Sequence, residues 1–366
     1  MFKEVVKLLF PSSDAEQQPN YFYFEEDKVS AEELQQQAID KLHSANQVKP
    51  LSLVSAEEAH QQSYYDFLFG QSPAAVQHDE LSRYVADKVA VLLKNPNGML
   101  NVMPALPASL HKVMAHLRDD DFDTELLLDL IQQEPSIAAK VIELASSSFY
   151  NHSNKVITDL KSAFMLLGSN GLIEGVINGF ISKLTPQSQI YFKQYGSKIW
   201  QHSLACGVIT KELIKASPDK NEAAQGYLIG LICNLGDMVI YQLLMDAFAY
   251  VHPDCQPNSY AFKELMQQKS KKLTYHIAKH WSFPQSILEA LNVQVKITNS
   301  AMLSAAFSKH PMACYVYEAN IISELMMMLE HHNKSQEEVS KTVTALLYSV
   351  EAKLYIERLL VEKASN

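Results

Sequence analysis

From Pro107 onward the apolar positions recur three and four residues apart, the spacing of helices that each bury one face. In Ala108–Arg118, Leu110, Val113, Met114 and Leu117 mark such a face. Asp123 or Thr124 starts the next helix, with Leu126, Leu127, Leu130 and Ile131 inward. Pro135 suits the first turn of a third, whose Ile137, Val141, Ile142 and Leu144 turn to the core. A helix over Leu160–Leu167 closes at Gly168, and another covers Ser169–Lys183. A second helical block runs from about Gln194 to Val295, and Met312–Leu329 and Ser335–Glu362 supply two long amphipathic helices. No stretch carries the alternating strand and helix pattern of a doubly wound sheet, so the expected fold class is all-α.

Residues 1–95 differ in texture. A polar loop with Pro11 and Pro19 leads to a glutamine-rich helical stretch, Ala31–Ala45, with Ser30 and Glu33 in the pattern of a capping box. Pro50 breaks it. Ser55 and Glu58 open another helix, which runs into the aromatic cluster Tyr64, Tyr65, Phe67 and Phe69. A further helix fits Asp79–Leu93, and the proline-bearing segment Lys94–Pro107 reads as a linker. The expected organisation is a helical extension over 1–95 and a domain over 96–325, in sub-blocks of about 100–190 and 194–325. A C-terminal helical part over 326–366 packs on that domain.

Composition narrows the function classes. Eleven glycines in 366 residues speak against a phosphate-cradling nucleotide loop, and no P-loop, Rossmann or nucleophile-elbow fingerprint is present. A net charge of -10, spread along the chain, repels phosphate backbones, so no nucleic-acid partner is expected. The one short basic run, Lys269, Lys271 and Lys272, reads as a solvated helix start. Cys206, Cys233, Cys255 and Cys314 form no CxxC pair and read as reduced thiols of a cytoplasmic protein. No membrane span is expected, and the N-terminal MFKEVVKLLF reads as a helix docked on its own domain.

Several segments, taken in order, carry a resemblance. Leu106-Pro107 opens a stretch with Glu134-Pro135, Lys140, Ser146 to Tyr150 and Ala163 to Gly168. Trp200-Gln201-His202-Ser203, then Gly230-Leu231-Ile232-Cys233-Asn234-Leu235-Gly236, then Trp281-Ser282-Phe283-Pro284 follow. Together they resemble the HDOD family over about residues 100–325. That resemblance implies a bacterial signal-transduction domain related to the HD-type metal-dependent phosphohydrolases.

The HD chemistry that the resemblance brings in needs a histidine, a His-Asp pair and a distant aspartate around divalent metal, which activates water against a phosphoester. His202 matches the first position. The pair falls on Cys233 and Asn234, the distant aspartate on Asn320, and the basic residue that often follows is Asp237. Asparagine keeps the shape of aspartate without its charge, so a cation loses most of its attraction there. Three positions where relatives often carry histidine are Ser270, Gln294 and Val295. No metal or cofactor is therefore expected. The cleft formed by His202, Cys233, Asn234, Asp237 and Asn320 could bind a small ligand or simply be filled.

Other clusters carry less. His276 and His280, four apart, read as surface histidines, and His331-His332 as a helix end. Asp119, Asp120, Asp121 and Asp123 lack the glycine and glutamate of a calcium loop. Met326–Met328 reads as core or as a soft partner surface. The expected function is a non-catalytic signalling module that contacts a protein partner. The alternative is a metal-dependent phosphohydrolase of nucleotides or cyclic dinucleotides, which requires a different register of the motif matches or the entry of a carboxylate such as Asp237 or Asp246 into the site.

Overall fold

The computed structural model describes residues 56–72, 80–94, 124–132, 135–147, 150–151, 156–184, 193–218, 222–248 and 259–364. The expected helices over 31–45 and 108–118, the linker, Cys255 and the Asp119–Asp123 cluster lie outside the described residues.

Every regular element among the described residues is helical. The order is α1 (Ala56–Phe69), α2 (Glu80–Lys94), α3 (Thr124–Gln132), α4 (Pro135–Ser146) and α5 (Leu160–Leu184). Then come α6 (Lys193–Ala216), α7 (Ala223–Ile232), α8 (Leu235–Phe248), α9 (Tyr260–His280) and α10 (Gln285–Lys296). A short 3-10 turn and α11 (Leu303–Ala306) lead to α12 (Pro311–Glu330), α13 (Gln336–Leu346) and α14 (Val350–Ala364). The all-α expectation holds.

Close backbone approach sets the centre. α6 packs on α7 across glycines: a Cβ on Gly230 would stand 2.7 Å from the Cys206 carbonyl oxygen, and one on Gly207 3.0 Å from that of Tyr227. Side chains larger than hydrogen would push these helices apart. α12 lies against α6, α10 and α7, while α8, α9 and α2 pack together beside them. In the first sub-block, α4 lies along α5, which bends at Gly168, where φ is 67°. Only glycine adopts that conformation without strain, and the expected stop at Gly168 is this kink.

The two sub-blocks are tied by a buried ion pair. Lys211 Nζ on α6 reaches both Glu174 oxygens on α5 at 2.7 Å and Tyr150 Oη at 2.8 Å. Tyr150 also donates to Glu174, which satisfies the carboxylate and fixes the register of the two blocks.

Three expectations change. The single helix expected over Ser335–Glu362 is two, because the Glu318 carboxylate accepts the N–H groups of Tyr348 (2.6 Å) and Ser349 (2.7 Å) and holds that turn open. Ser349 Oγ then caps α14 through the N–H of Ala352 at 3.1 Å. Lys269, Lys271 and Lys272 sit inside α9 and not at its start, and Ser259 is the residue that caps α9, accepting from the Phe262 N–H at 3.2 Å. Met326, Met327 and Met328 are buried core, which removes them as a partner surface.

The stretch Ala223–Ala247 is apolar and long enough to cross a membrane, but 78% of its most apolar window is buried inside the bundle. It is α7 and α8 together, broken by the turn at Cys233 and Asn234. That turn is where the site begins.

Candidate functional site

α6, the α7–α8 turn, α9 and α12 surround one cleft, and α1 lies across it. His202 comes from the middle of α6 and is buried. Its Nδ1 lies 2.8 Å from Ser323 Oγ on α12, and that hydroxyl donates to the His202 carbonyl at 3.3 Å. This network assigns the ring proton to Nδ1. Nε2 stands 3.9 Å from Glu324 Oε1, too far for a hydrogen bond. Burial favours the neutral ring and holds the imidazole below its ordinary pKa, partly opposed by the Glu324 charge.

Cys233 caps α7. Its thiol donates to the Gly230 carbonyl at 3.0 Å and lies 3.6 Å from Cys206 Sγ, one turn beyond His202 on α6. Asn234 Nδ2 donates to Asn320 Oδ1 at 3.0 Å, and Asn320 Nδ2 donates to the Val316 carbonyl at 3.0 Å. One hydrogen bond thus joins the two amides, and Asn320 passes its own N–H to the α12 backbone. The fold places His202, Cys233, Asn234 and Asn320 on the wall of the same cleft.

Asp237 enters the cleft from the first turn of α8 and accepts from Ser270 Oγ at 2.6 Å. Burial pushes its carboxyl up to about 7, opposed by the Ser270 hydrogen bond and reinforced by Glu324. The turn before it is tight. A Cβ on Gly236 would meet the Ser270 carbonyl oxygen at 2.0 Å, and the Gly236 N–H donates to Thr274 Oγ1 at 2.8 Å. Of the other histidine-matching positions, Ser270 and Gln294 line the cleft, whereas Val295 lines the neighbouring groove between α1 and α9. Asp246 is exposed on α8 and bonded by Gln242 at 2.8 Å, so it does not enter the site.

The motif matches did not point to the remaining lining residues. From α1, Glu57 accepts from Tyr317 Oη and from the Ser300 N–H at 3.2 Å. His60 Nε2 meets Glu324 Oε2 at 2.7 Å, and the Tyr64 ring lies 5.3 Å from that of His202. Lys271 from α9 stands 4.9 Å above the Tyr317 ring, its ammonium disfavoured by burial and supported by Glu57 and Glu324. Glu324 was within reach of sequence reasoning, since it follows Asn320 by one helical turn on the same face. The α1 residues lie outside the family resemblance and carry no motif.

α1 is anchored beyond the cleft. Asp66 pairs with Lys263 at 2.6 Å, and Lys263 also reaches Ser72 Oγ at 2.9 Å. Phe69 packs edge-on against Phe262, centroids 5.3 Å apart, beside Tyr195 and Tyr241. With α1 in place the cleft holds about 90 Å³. That is far below the roughly 300 Å³ at which pockets begin to accept drug-sized ligands.

The residues do not fit an HD-type metal centre. His202 shares the cleft with a thiol and two amides joined by one hydrogen bond, where the chemistry calls for imidazole and carboxylates. Among the described residues no group of three or more His, Cys, Asp or Glu side chains is placed to hold a metal ion. His276 and His280 stand on α9 next to Lys272 and Lys279, and His276 is held below its ordinary pKa by burial and then by those lysines.

With this geometry in hand, comparisons with known proteins are specific. A model of the HDOD domain matches residues 103–297. An HDOD domain protein of unknown function from Geobacter sulfurreducens superposes with a TM-score of 0.52 at 18% identity, over 76% of this chain and 96% of that one. A Shewanella amazonensis SB2B protein described as a candidate metal-dependent phosphohydrolase superposes with a TM-score of 0.50 at 14% identity, over 77% and 100%. An uncharacterised protein of Treponema pallidum (strain Nichols) is 20% identical over 193 residues, 52% of this chain, which spans 37% of that relative's length. At these identities the structural likenesses establish the fold alone. The matched region begins beyond α1 and α2, so the helix across the cleft comes from outside it.

Proposed function

The chain belongs to the HDOD domain family, and on that premise we propose that it is a non-catalytic signal-transduction module of the bacterial cytoplasm that acts through a protein partner. The observation that carries this reading is the Asn234–Asn320 pair. Two positions where HD chemistry needs carboxylates hold neutral amides, and Asn234 spends an N–H on the Asn320 oxygen. A divalent cation there would meet no charge from either and would have to break the part-buried hydrogen bond between them to gain the Asn320 oxygen as a ligand.

The seating of α1 supports the same reading. A helix from the extension fills the cleft with Glu57, His60 and Tyr64 and leaves too little room for a nucleotide. Input then arrives through residues 1–95 or through a separate protein, and the output is a change in which surfaces the helical core presents. A small ligand in this cleft has to displace α1 or fit the space beside it.

One arrangement favours the second reading, a phosphohydrolase. Asp237, Glu324, His60 and His202 all line the cleft, so carboxylates and imidazoles are present although not at the family's positions. Assay of the full chain against nucleotide and cyclic-dinucleotide phosphodiesters, with added Mn²⁺ or Fe²⁺, separates the two. The expected result is no turnover above a His202→Ala control. Turnover that this substitution abolishes would return the protein to the hydrolases.

A further inference from the structure

Two thiols meet inside the core at the place where the family resemblance puts a metal-binding histidine. Cys206 Sγ and Cys233 Sγ are 3.6 Å apart, van der Waals contact for two sulfurs and about 1.5 Å longer than a disulfide bond. Neither thiol lies on a mobile surface loop. Cys206 is in mid-α6, and Cys233 ends α7, where it is pinned by the Gly230 carbonyl. The backbones are held together at this level by the glycine contact already described, in which the Cys206 carbonyl abuts Gly230. The remaining gap is one that thiol rotation and a small shift of the turn can close.

Access is asymmetric. Cys233 lines the cleft, whereas Cys206 lies behind it, fully buried. A space of about 90 Å³ admits a molecule the size of a peroxide and excludes a protein oxidant. Burial, and then the neighbouring thiol, raise Cys206 well above the ordinary thiol range, so the cleft-lining Cys233 and not Cys206 is the sulfur placed to meet peroxide first.

We infer that Cys206 and Cys233 form a reversible disulfide on exposure to small hydroperoxides. The Cys233 sulfur attacks the O–O bond of hydrogen peroxide, which breaks; sulfur keeps one oxygen as a sulfenic acid and the other leaves as water with the thiol proton. The Cys206 sulfur then attacks the sulfenic sulfur, the S–O bond breaks, and the hydroxide leaves as a second water with the Cys206 proton. Two thiols and one peroxide give one disulfide and two waters. Two electrons pass from sulfur to oxygen, and a dithiol reductant reverses the step.

The bond has a structural consequence at the cleft. Asn320 Nδ2 sits 3.4 Å from Cys233 Sγ, and Asn320 in turn holds Asn234. Drawing Cys233 toward α6 withdraws that sulfur from Asn320, so oxidation is transmitted to the amide pair and to α12.

The test uses the full chain in a Cys255→Ser background, which removes the fourth thiol, with Cys314 as internal control. The folded protein is treated with hydrogen peroxide, quenched, unfolded with an alkylating reagent and analysed by mass spectrometry. The expected product lacks two hydrogens, carries one alkyl group, on Cys314, and yields a peptide cross-linked between Cys206 and Cys233 that a dithiol reductant separates. In Cys206→Ser, the expected product is a dimedone-reactive sulfenic acid at Cys233; in Cys233→Ser, Cys206 stays unmodified. Complete alkylation of Cys206 and Cys233 after treatment of the folded parent would overturn the proposal. So would a cross-link that appears only after unfolding.

Discussion

The imidazole of His60, on α1, meets the carboxylate of Glu324, on α12, at 2.7 Å. It ties the N-terminal extension to the cleft that His202 lines, because Glu324 Oε1 also faces His202 across 3.9 Å. Removing either partner leaves the other buried with fewer bonds. His60→Ala and Glu324→Gln are each expected to destabilise by about 1–3 kcal/mol. Their double mutant is expected to lose less than the sum, since both act on one pair. Denaturant unfolding gives the cycle, and hydrogen exchange is expected to quicken over 56–69 before it does in α6 or α7.

Phe69 anchors the far end of α1 between Phe262, Tyr195 and Tyr241. Phe69→Ala removes a buried ring and leaves a cavity, with an expected loss of about 3–5 kcal/mol. If α1 is a separable strap, the loss appears as local release of residues 56–69 and the core keeps its midpoint. A full drop in the global unfolding midpoint would make α1 part of the core's cooperative unit.

Asp237 makes stability depend on pH in a direction that can be stated. Its carboxyl titrates at about 7 in the folded protein, against about 4 unfolded, so the folded state binds the proton more tightly. The resulting stabilisation is complete below about pH 4 and is lost as pH rises through 7. Asp237→Asn keeps an acceptor for Ser270 and removes the titration. Relative to the wild type, the variant is expected to gain with rising pH, by about 4 kcal/mol between pH 4 and pH 8. The difference between the two pH profiles of unfolding isolates this group from the nearby Glu324, Glu57, His60, His202 and Lys271. A flat difference would mean that Asp237 binds its proton equally well folded and unfolded.

Much of this was legible in the chain, and the gaps have physical causes. Helical periodicity, Pro135 and Gly168 gave α4 and the bend in α5, because those signals are local. The break between α13 and α14 was not legible, because it depends on Glu318, 31 residues away from Ser349 in sequence, capturing backbone N–H groups. Family-like motifs frame His202, Cys233, Asn234 and Asn320, with Asp237 beside them, and the fold brings all five to one cleft. Glu57, His60 and Tyr64 were missed since α1 shows only a helix with an aromatic end. Nothing local says where such a helix docks. Lys271 was hidden in a basic run that read as solvated, although α9 turns this one lysine inward.

Gly236 tests the tight turn that presents the cleft residues. A methyl group there would overlap the Ser270 carbonyl, a backbone atom with no freedom to swing aside. Gly236→Ala is expected to destabilise by about 3 kcal/mol or more and to shift the Asp237–Ser270 contact. Thermal unfolding checks the first; loss of the pH-dependent difference between this variant and its Asp237→Asn double mutant checks the second.

The central claim is that the cleft beneath α1 is no longer a metal centre, and metal stoichiometry tests it most directly. Full-length protein and its His202→Ala variant are dialysed against Mn²⁺ or Fe²⁺, freed of excess and analysed by ICP-MS. The expected result is far less than one metal per chain, equal in both. Near-stoichiometric metal in the wild type that is lost in His202→Ala would contradict the account.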